Sequence, residues 1–121
     1  MLMKIIKPNF EFNDERGKII QLVREGYSQV NVITSNSGVI RGRHYHKMNC
    51  EAFYFPYGKC RVIAETSEGE REERIFGAGE MFMIEPYVMH RFEYLEKSMV
   101  ISMYSHGVEI GDGRMDCYEE F

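Results

Sequence analysis

Three histidines and one glutamate have the spacing of a metal site. His44 and His46 are two residues apart, and side chains at that spacing share one face of a β-strand. Two imidazoles on one inward face are costly in an apolar core unless a partner binds them. Glu51 can return a carboxylate to that face from the next predicted strand, and His90 offers a third imidazole after a turn. Three imidazoles and a carboxylate suit a divalent cation and leave one or two coordination positions open, as a catalytic site requires.

Cationic residues flank the histidine pair. Arg41 and Arg43 have the opposite parity to the histidines in a regular strand, which predicts a solvated outer face. A β-bulge near Gly42 would change that parity. The second interpretation is a cationic clamp on a nucleotide diphosphate, which suits the guanidinium fork of arginine. Lys47 has the same two interpretations, a solvated surface residue or a part of the clamp. Both interpretations stay open for all three residues.

Several other side chains are candidates for proton transfer. Histidines that bind a metal through neutral nitrogens cannot also be free bases, so another group has to move the proton. The candidates are Tyr94, Tyr104, Lys47 and His106, and the sequence does not rank them. The two tyrosines also fit core or rim positions, and His106 also fits the surface or a pocket rim.

The elements around these residues are predicted to be short strands. Short apolar runs alternate with polar turns at 13–17, 36–38 and 67–69, and no window has a convincing helical period. The pattern predicts an all-β antiparallel sandwich or barrel, and a closed jelly roll fits the length. The predicted strands are residues 2–6, 18–24, 28–34, 39–46, 51–55, 59–66, 70–76, 81–84, 90–94 and 98–105.

Composition narrows the class of protein. The chain has 121 residues and no linker or internal repeat, which predicts a single domain over residues 1–121. A net charge of -4 argues against a nucleic-acid binder, because such proteins need a cationic field. No apolar stretch approaches the length of a membrane span, and the first ten residues do not form a signal peptide. We therefore expect reduced cysteines, no membrane partner and a cytoplasmic location.

Residues 38–58 resemble the first cupin motif. They read G-x5-H-x-H-x4-E-x6-G, which matches that motif element for element. In the second motif, Gly79 and His90 keep the family's separation, but Pro86 comes one place late and Tyr94 replaces the terminal Asn. The resemblance implies a double-stranded β-helix, or jelly-roll barrel, with its core at about residues 28–106.

Two segments resemble cupins that act on nucleotide sugars. Residues 14–17, D-E-R-G, resemble the D-x-R-G opening of the 4-keto-6-deoxy-sugar 3,5-epimerases, which implies that Arg16 binds substrate. Residues 41–47, RGRHYHK, resemble the R-G-x-H segment of those epimerases and the R-G-x-H-x-H-K segment of sugar 3,4-ketoisomerases. That resemblance implies substrate-binding roles for Arg41 and Lys47.

A third resemblance concerns the metal. The G-x-H-Y-H segment with a following Glu, the P-x3-H segment and the D-x-Y-x-E stretch at 116–120 resemble the metal-binding cupin domain of capsular-polysaccharide UDP-sugar reductase/epimerases. Ketoisomerases generally have Gln where this chain has Glu51, and they work without a metal. Glu51 thus favours the metal-binding relatives. The implied ion is zinc, with iron, nickel or manganese as alternatives, on His44, His46, Glu51 and His90.

These resemblances imply an isomerase or epimerase of a nucleotide-linked 4-keto sugar in surface-polysaccharide or deoxysugar biosynthesis. In metal-free relatives a histidine of this segment transfers the proton, so His44 and His46 are catalytic candidates too, together with Tyr104. The alternatives are a non-catalytic metal- or sugar-binding cupin and a mononuclear iron dioxygenase, because one fold and site serve many functions. The resemblance also implies a homodimer.

Overall fold

The protein is built from β-strands alone. A computed structural model describes residues 1–121 and contains eleven strands and no helix, so it has no helix that could cross a membrane. This confirms the all-β prediction. The strands are β1 Met3–Ile6, β2 Phe10–Asp14, β3 Gly17–Gln21, β4 Gln29–Ser35, β5 Ile40–His44, β6 Glu51–Tyr57, β7 Lys59–Glu65, β8 Arg71–Gly77, β9 Met81–Ile84, β10 Met89–Tyr94 and β11 Ser98–Tyr104.

The strands form two antiparallel sheets and a separate hairpin. One sheet has the order β1-β9-β6-β11-β4, the other has the order β5-β10-β7-β8, and β2 pairs with β3. Along the chain from β4 to β11, strands pass repeatedly between the two sheets, as in a jelly roll. The predicted metal ligands therefore come from both sheets: His44 and His90 from the second, and Glu51 from the first.

The aromatic core lies between the two sheets. Phe76 and Phe82 stack with ring centroids 4.1 Å apart, and Phe53 stacks on Phe82 at 4.9 Å. Burial of such large apolar side chains is the main favourable contribution to folding. Phe53 and Phe92 belong to this core and also contact the imidazole of His90 edge-on, so the core supports the candidate site directly.

The first hairpin differs from the prediction. Residues 13–17 were expected to be a turn, but Asn13 and Asp14 end β2 and Gly17 begins β3, so the turn is only Glu15 and Arg16. Strand β2 itself was not predicted. Its side chains Phe10 and Phe12 remain about half exposed, so this strand lies outside the buried core. After this hairpin, Leu22 and Val23 pack on the outer face of the five-stranded sheet.

Candidate metal centre

A β-bulge in β5 positions the first histidine. His44 pairs with His90, but the next partner of β10, Arg91, pairs with Gly42, so Arg43 is an extra residue. Gly42 and Arg43 both have left-handed backbone, with φ of 85° and 78°. A Cβ on Gly42 would lie 3.0 Å from the carbonyl oxygen of His90, so only glycine fits without displacing a neighbour.

The four predicted ligands lie together between the sheets. One ligand atom from each of His44, His46, Glu51 and His90 lies within 4.8 Å of the others. The Oε1 atom of Glu51 is 3.0 Å from His46 Nε2 and 3.3 Å from His90 Nε2. All are buried except His44, which is half-buried.

Backbone carbonyls orient the two buried histidines from the side of the ring opposite Glu51. His46 Nδ1 donates to the carbonyl oxygen of Asp116 at 2.5 Å, and His90 Nδ1 donates to that of Val88 at 3.1 Å. A carbonyl oxygen can only accept, so each Nδ1 carries a proton and each Nε2 faces Glu51. Such backbone acceptors commonly fix the ring orientation of metal-binding histidines.

Charge and burial act together on these groups. Burial, with smaller contributions from His90 and His46, lowers the pKa of His44 to about 4, so its imidazole is neutral at physiological pH. Burial alone would raise the pKa of Glu51, but hydrogen bonds from His46 and His90 outweigh it and hold that pKa well below its ordinary value. The same pairing with Glu51 overcomes burial and raises the pKa of His46. The site thus holds an ionised carboxylate among imidazoles.

The residues present fit a divalent cation. Ligand bonds of about 2.0–2.2 Å place neighbouring donor atoms about 3–4 Å apart, and the 4.8 Å spread of this cluster is close to that size. The set contains no thiolate, and imidazole and carboxylate donors suit zinc and its first-row neighbours.

A cavity of about 270 Å³ opens onto this cluster. Its wall is largely apolar, and its polar groups converge on the ligands. The lining residues are Ile33, Arg41, Gly42, His44, Glu51, Phe53, His90, Phe92, Tyr94, Val100 and Tyr104. Apolar walls with a few convergent polar groups are typical of small-molecule sites.

Both tyrosines of the cavity keep their protons at neutral pH. Burial and the charge of Glu51 raise the pKa of Tyr104 far above its usual range. Burial raises the pKa of Tyr94 to about 12. In this state each can donate a proton or a hydrogen bond, and neither is poised as a base.

Of the three cationic residues predicted to bind substrate, only one lines the cavity. Because of the bulge, Arg41 lines the cavity, where its Nε donates to Ser35 Oγ at 2.8 Å. Arg16 lies at the tip of the β2–β3 hairpin, pairs with Asp14 and does not line the cavity. Lys47 also lies outside the cavity wall, with its Nζ 4.2 Å from the centre of the Tyr118 ring. His106 is exposed and stands apart from the ligand cluster.

The roles of two residues at the site were not predicted from the sequence, although Asp116 begins the D-x-Y-x-E stretch noted above. Ser102 donates a short hydrogen bond to Glu51 Oε2, and Asp116 holds His46 through its carbonyl. Ser102 could have been found as an inward position of the last predicted strand, two residues before Tyr104. The role of Asp116 depends on a contact across 70 residues, which no local pattern reveals.

The chain is similar in sequence to proteins that are named for polysaccharide biosynthesis. The model of a family described as polysaccharide biosynthesis C-terminal domain matches residues 12–112. The spore coat polysaccharide biosynthesis protein SpsL of Bacillus subtilis is 26% identical over 113 residues, with 82% of this chain and 75% of that protein covered.

Solved structures confirm the predicted cupin-like fold. A dTDP-4-dehydrorhamnose 3,5-epimerase from Sulfolobus tokodaii superposes with a TM-score of 0.72 and 22% identity over 88% of this chain and 76% of its own. The sugar 3,4-ketoisomerase QdtA from Thermoanaerobacterium thermosaccharolyticum, in complex with TDP, has a TM-score of 0.79 and 18% identity over 99% of this chain and 89% of its own. These neighbours are the two classes of enzyme that the sequence resembles.

Proposed function

The chain belongs to the polysaccharide biosynthesis C-terminal domain family, and we propose that it is a metal-binding isomerase or epimerase of a nucleotide-linked 4-keto sugar. The proposal is supported by the names of the neighbours, a dTDP-sugar epimerase and a TDP-bound ketoisomerase. It is also supported by the name of SpsL, which refers to polysaccharide biosynthesis.

The observation that carries the proposal is the set of side chains that line the cavity. Three members of the ligand cluster line one space of about 270 Å³ together with Tyr104 and Arg41; these members are His44, Glu51 and His90. A 4-keto sugar needs these three kinds of group. Its carbonyl needs an electrophile, the carbon beside the carbonyl needs a proton carrier, and the attached diphosphate needs a cation.

The metal ligands in this proposal are His44, His46, Glu51 and His90. When bound, the ion would polarise the substrate carbonyl and stabilise the negative charge that develops on its oxygen. A ketone made electron-poor in this way releases a proton from its neighbouring carbon more readily. Returning that proton to the other face of the same carbon gives an epimer. Returning it to the former carbonyl carbon, while the proton of the neighbouring hydroxyl passes to the former carbonyl oxygen, gives a ketoisomer.

Tyr104 is the residue that we assign to the returning proton. Its hydroxyl lines the cavity beside Glu51, and burial together with the Glu51 charge keeps it protonated. The first proton would pass to a hydroxide ion from the solvent that reaches the open cavity, because the nitrogens of bound histidines cannot accept it. The water formed in this way would reprotonate Tyr104 after the phenol has donated its own proton. Arg41 would bind the nucleotide diphosphate in this proposal, which its position in the cavity wall supports.

The proposal is tested by deuterium uptake from heavy water into UDP- and dTDP-linked 4-keto-6-deoxy sugars, read by mass spectrometry. We expect enzyme-dependent uptake that is lost in His46→Ala. Tyr104→Phe should slow uptake by about 10²-fold or more, whereas Tyr57→Phe, on an exposed tyrosine, should not. A folded, metal-loaded protein that exchanges no proton in any of these sugars would overturn the proposal and favour a binding cupin. Consumption of oxygen by an iron-loaded protein would favour a dioxygenase.

A further inference from the structure

Asp116 is a fully buried carboxylate that organises the segment between two candidate metal ligands. Its Oδ1 atom accepts a hydrogen bond from Lys47 N at 2.8 Å, and its Oδ2 atom accepts from Met48 N at 3.0 Å and Asn49 N at 3.1 Å. The side-chain amide of Asn49 also donates to Oδ2 at 2.8 Å. One side chain thus pairs with three consecutive backbone N–H groups of the link between His46 and Glu51.

The backbone of the same residue holds a ligand ring. The carbonyl oxygen of Asp116 accepts the Nδ1 proton of His46 at 2.5 Å, while its own N–H donates to Val108 at 2.7 Å. Two residues on, Tyr118 forms a reciprocal pair of backbone hydrogen bonds with Tyr45, both at 2.9 Å. The C-terminal segment is therefore bonded to the chain on both sides of His46.

From these contacts we propose that Asp116 is a positioning residue that presets the orientation of the His46 ring for the cation. This inference rests on the proposed metal-binding function. The carboxylate fixes the 47–49 backbone, which brings the Asp116 carbonyl to Nδ1 of His46. Since that carbonyl can only accept, the ring keeps its proton on Nδ1 and directs Nε2 toward Glu51.

Asp116→Asn is the most direct variant. It keeps the size of the side chain but replaces one acceptor oxygen with an NH₂ group that would face backbone N–H donors. The three backbone donors cannot then all be paired with this side chain, so the 47–49 link should shift and the carbonyl should move off His46.

Ser98→Ala is the matched control. Ser98 is also fully buried, and its hydroxyl accepts from Lys59 N at 3.1 Å and donates to the Glu96 carbonyl at 2.8 Å. It lies at the opposite end of β11 from Ser102 and Tyr104. Both variants should lower thermal stability, but only Asp116→Asn should disturb the ligand cluster.

The first readout is zinc affinity, from titration against a chromophoric chelator. Loss of outer contacts to metal-binding histidines typically weakens affinity by about 10–100-fold, and we expect at least a tenfold loss for Asp116→Asn. Ser98→Ala should bind zinc as the unaltered protein does. Equal losses in the two variants would show that general destabilisation is the cause and would overturn the inference.

The second readout needs no metal. In the metal-free protein, the Nδ1 proton of His46 should be held in its hydrogen bond to the Asp116 carbonyl and should exchange slowly with solvent, as measured by proton NMR. Asp116→Asn should make this proton exchange faster, and Ser98→Ala should not. Unchanged exchange in Asp116→Asn would refute the positioning role even if zinc binds. If the unaltered protein binds no metal, the proposed metal function fails, while this experiment still decides whether Asp116 orients His46.

Discussion

At the scale of single residues, Glu51 is the centre of the candidate site. Its Oε1 atom contacts Nε2 of both His46 and His90, and its Oε2 atom accepts from Ser102. A buried carboxylate without such partners would be strongly disfavoured, so these contacts explain how an ionised group persists inside a barrel. Ser102 then has a specific role, which is to hold the carboxylate oxygen that does not face the imidazoles.

Removing the Ser102 hydroxyl should therefore loosen the site. In Ser102→Ala, Glu51 Oε2 loses its donor, and zinc affinity should fall by about tenfold in a competition titration, because outer contacts orient metal ligands. Ser37→Ala serves as control, since this exposed hydroxyl bonds only the Leu95 carbonyl. Unchanged affinity in Ser102→Ala would show that the serine does not orient Glu51.

At the scale of elements, the bulge in β5 is the feature that makes the site. It inserts Arg43, sets His44 opposite His90 and directs Arg41 into the cavity. A regular strand would have placed Arg41 and His44 on opposite faces. The site therefore depends on two consecutive left-handed residues, of which only Gly42 adopts that backbone without steric cost.

Substitution of Gly42 tests this dependence, and Gly38 is a close control. Both have similar φ, 85° and 87°, but an added Cβ at Gly42 meets the His90 carbonyl at 3.0 Å, whereas at Gly38 it meets nothing within 4 Å. Each Ala variant should lose about 1–2 kcal/mol in the free energy of unfolding from backbone strain. Gly42→Ala should lose about 1–3 kcal/mol more from crowding, measured by urea denaturation. It alone should weaken zinc binding, and equal behaviour of the two variants would contradict the role of the bulge.

Much of this arrangement could be predicted from the sequence, and the reasons are local. The two-residue spacing of His44 and His46 and the alternation of short strands predicted the ligand cluster and the jelly roll. The parity of Arg41 could not be decided, because one extra residue reverses it and two left-handed positions are hard to foresee when only one is glycine. The role of Asp116 could not be predicted for another reason. Its hydrogen bonds to His46 and to the 47–49 link join residues that are 67 to 70 positions apart in the sequence.

At the scale of the whole molecule, the barrel separates stability from chemistry. Phe76 and Phe82 stack in the aromatic core and do not line the cavity, while Phe53 and Phe92 form the boundary between core and cavity. The polar cluster is thus supported from one side by large apolar rings and open to a ligand on the other. Changes deep in the core should affect folding more than metal binding.

Phe82→Ala tests that separation. Removing this fully buried ring should reduce the free energy of unfolding by about 3–5 kcal/mol. The control Phe10→Ala, on a half-exposed ring of the hairpin, should cost about 0.5 kcal/mol or less. Zinc affinity measured below the unfolding transition should change little in either variant. A large loss of affinity in Phe82→Ala would show that the core and the site are coupled.

Metal removal should destabilise the whole fold. A cation that binds only the folded chain stabilises it by about 2.7 kcal/mol at a concentration 100 times its Kd, or about 10 °C in Tm for a domain of this size. Thermal unfolding with zinc and with excess EDTA measures the difference. The shift should disappear in Glu51→Gln, because the ionised carboxylate is the anionic ligand of the set. Equal melting temperatures in zinc and EDTA would argue against a metal centre.

The most direct test of the account is the metal content of the purified protein after equilibration with zinc and removal of free ions, measured by inductively coupled plasma mass spectrometry. We predict one divalent ion per chain in the unaltered protein, loss of that ion in His46→Ala and in His90→Ala, and retention in His106→Ala, since His106 is the one histidine outside the cluster. A correctly folded protein without bound metal, or one that loses its ion equally in His106→Ala, would contradict the assignment of His44, His46, Glu51 and His90 as a metal centre.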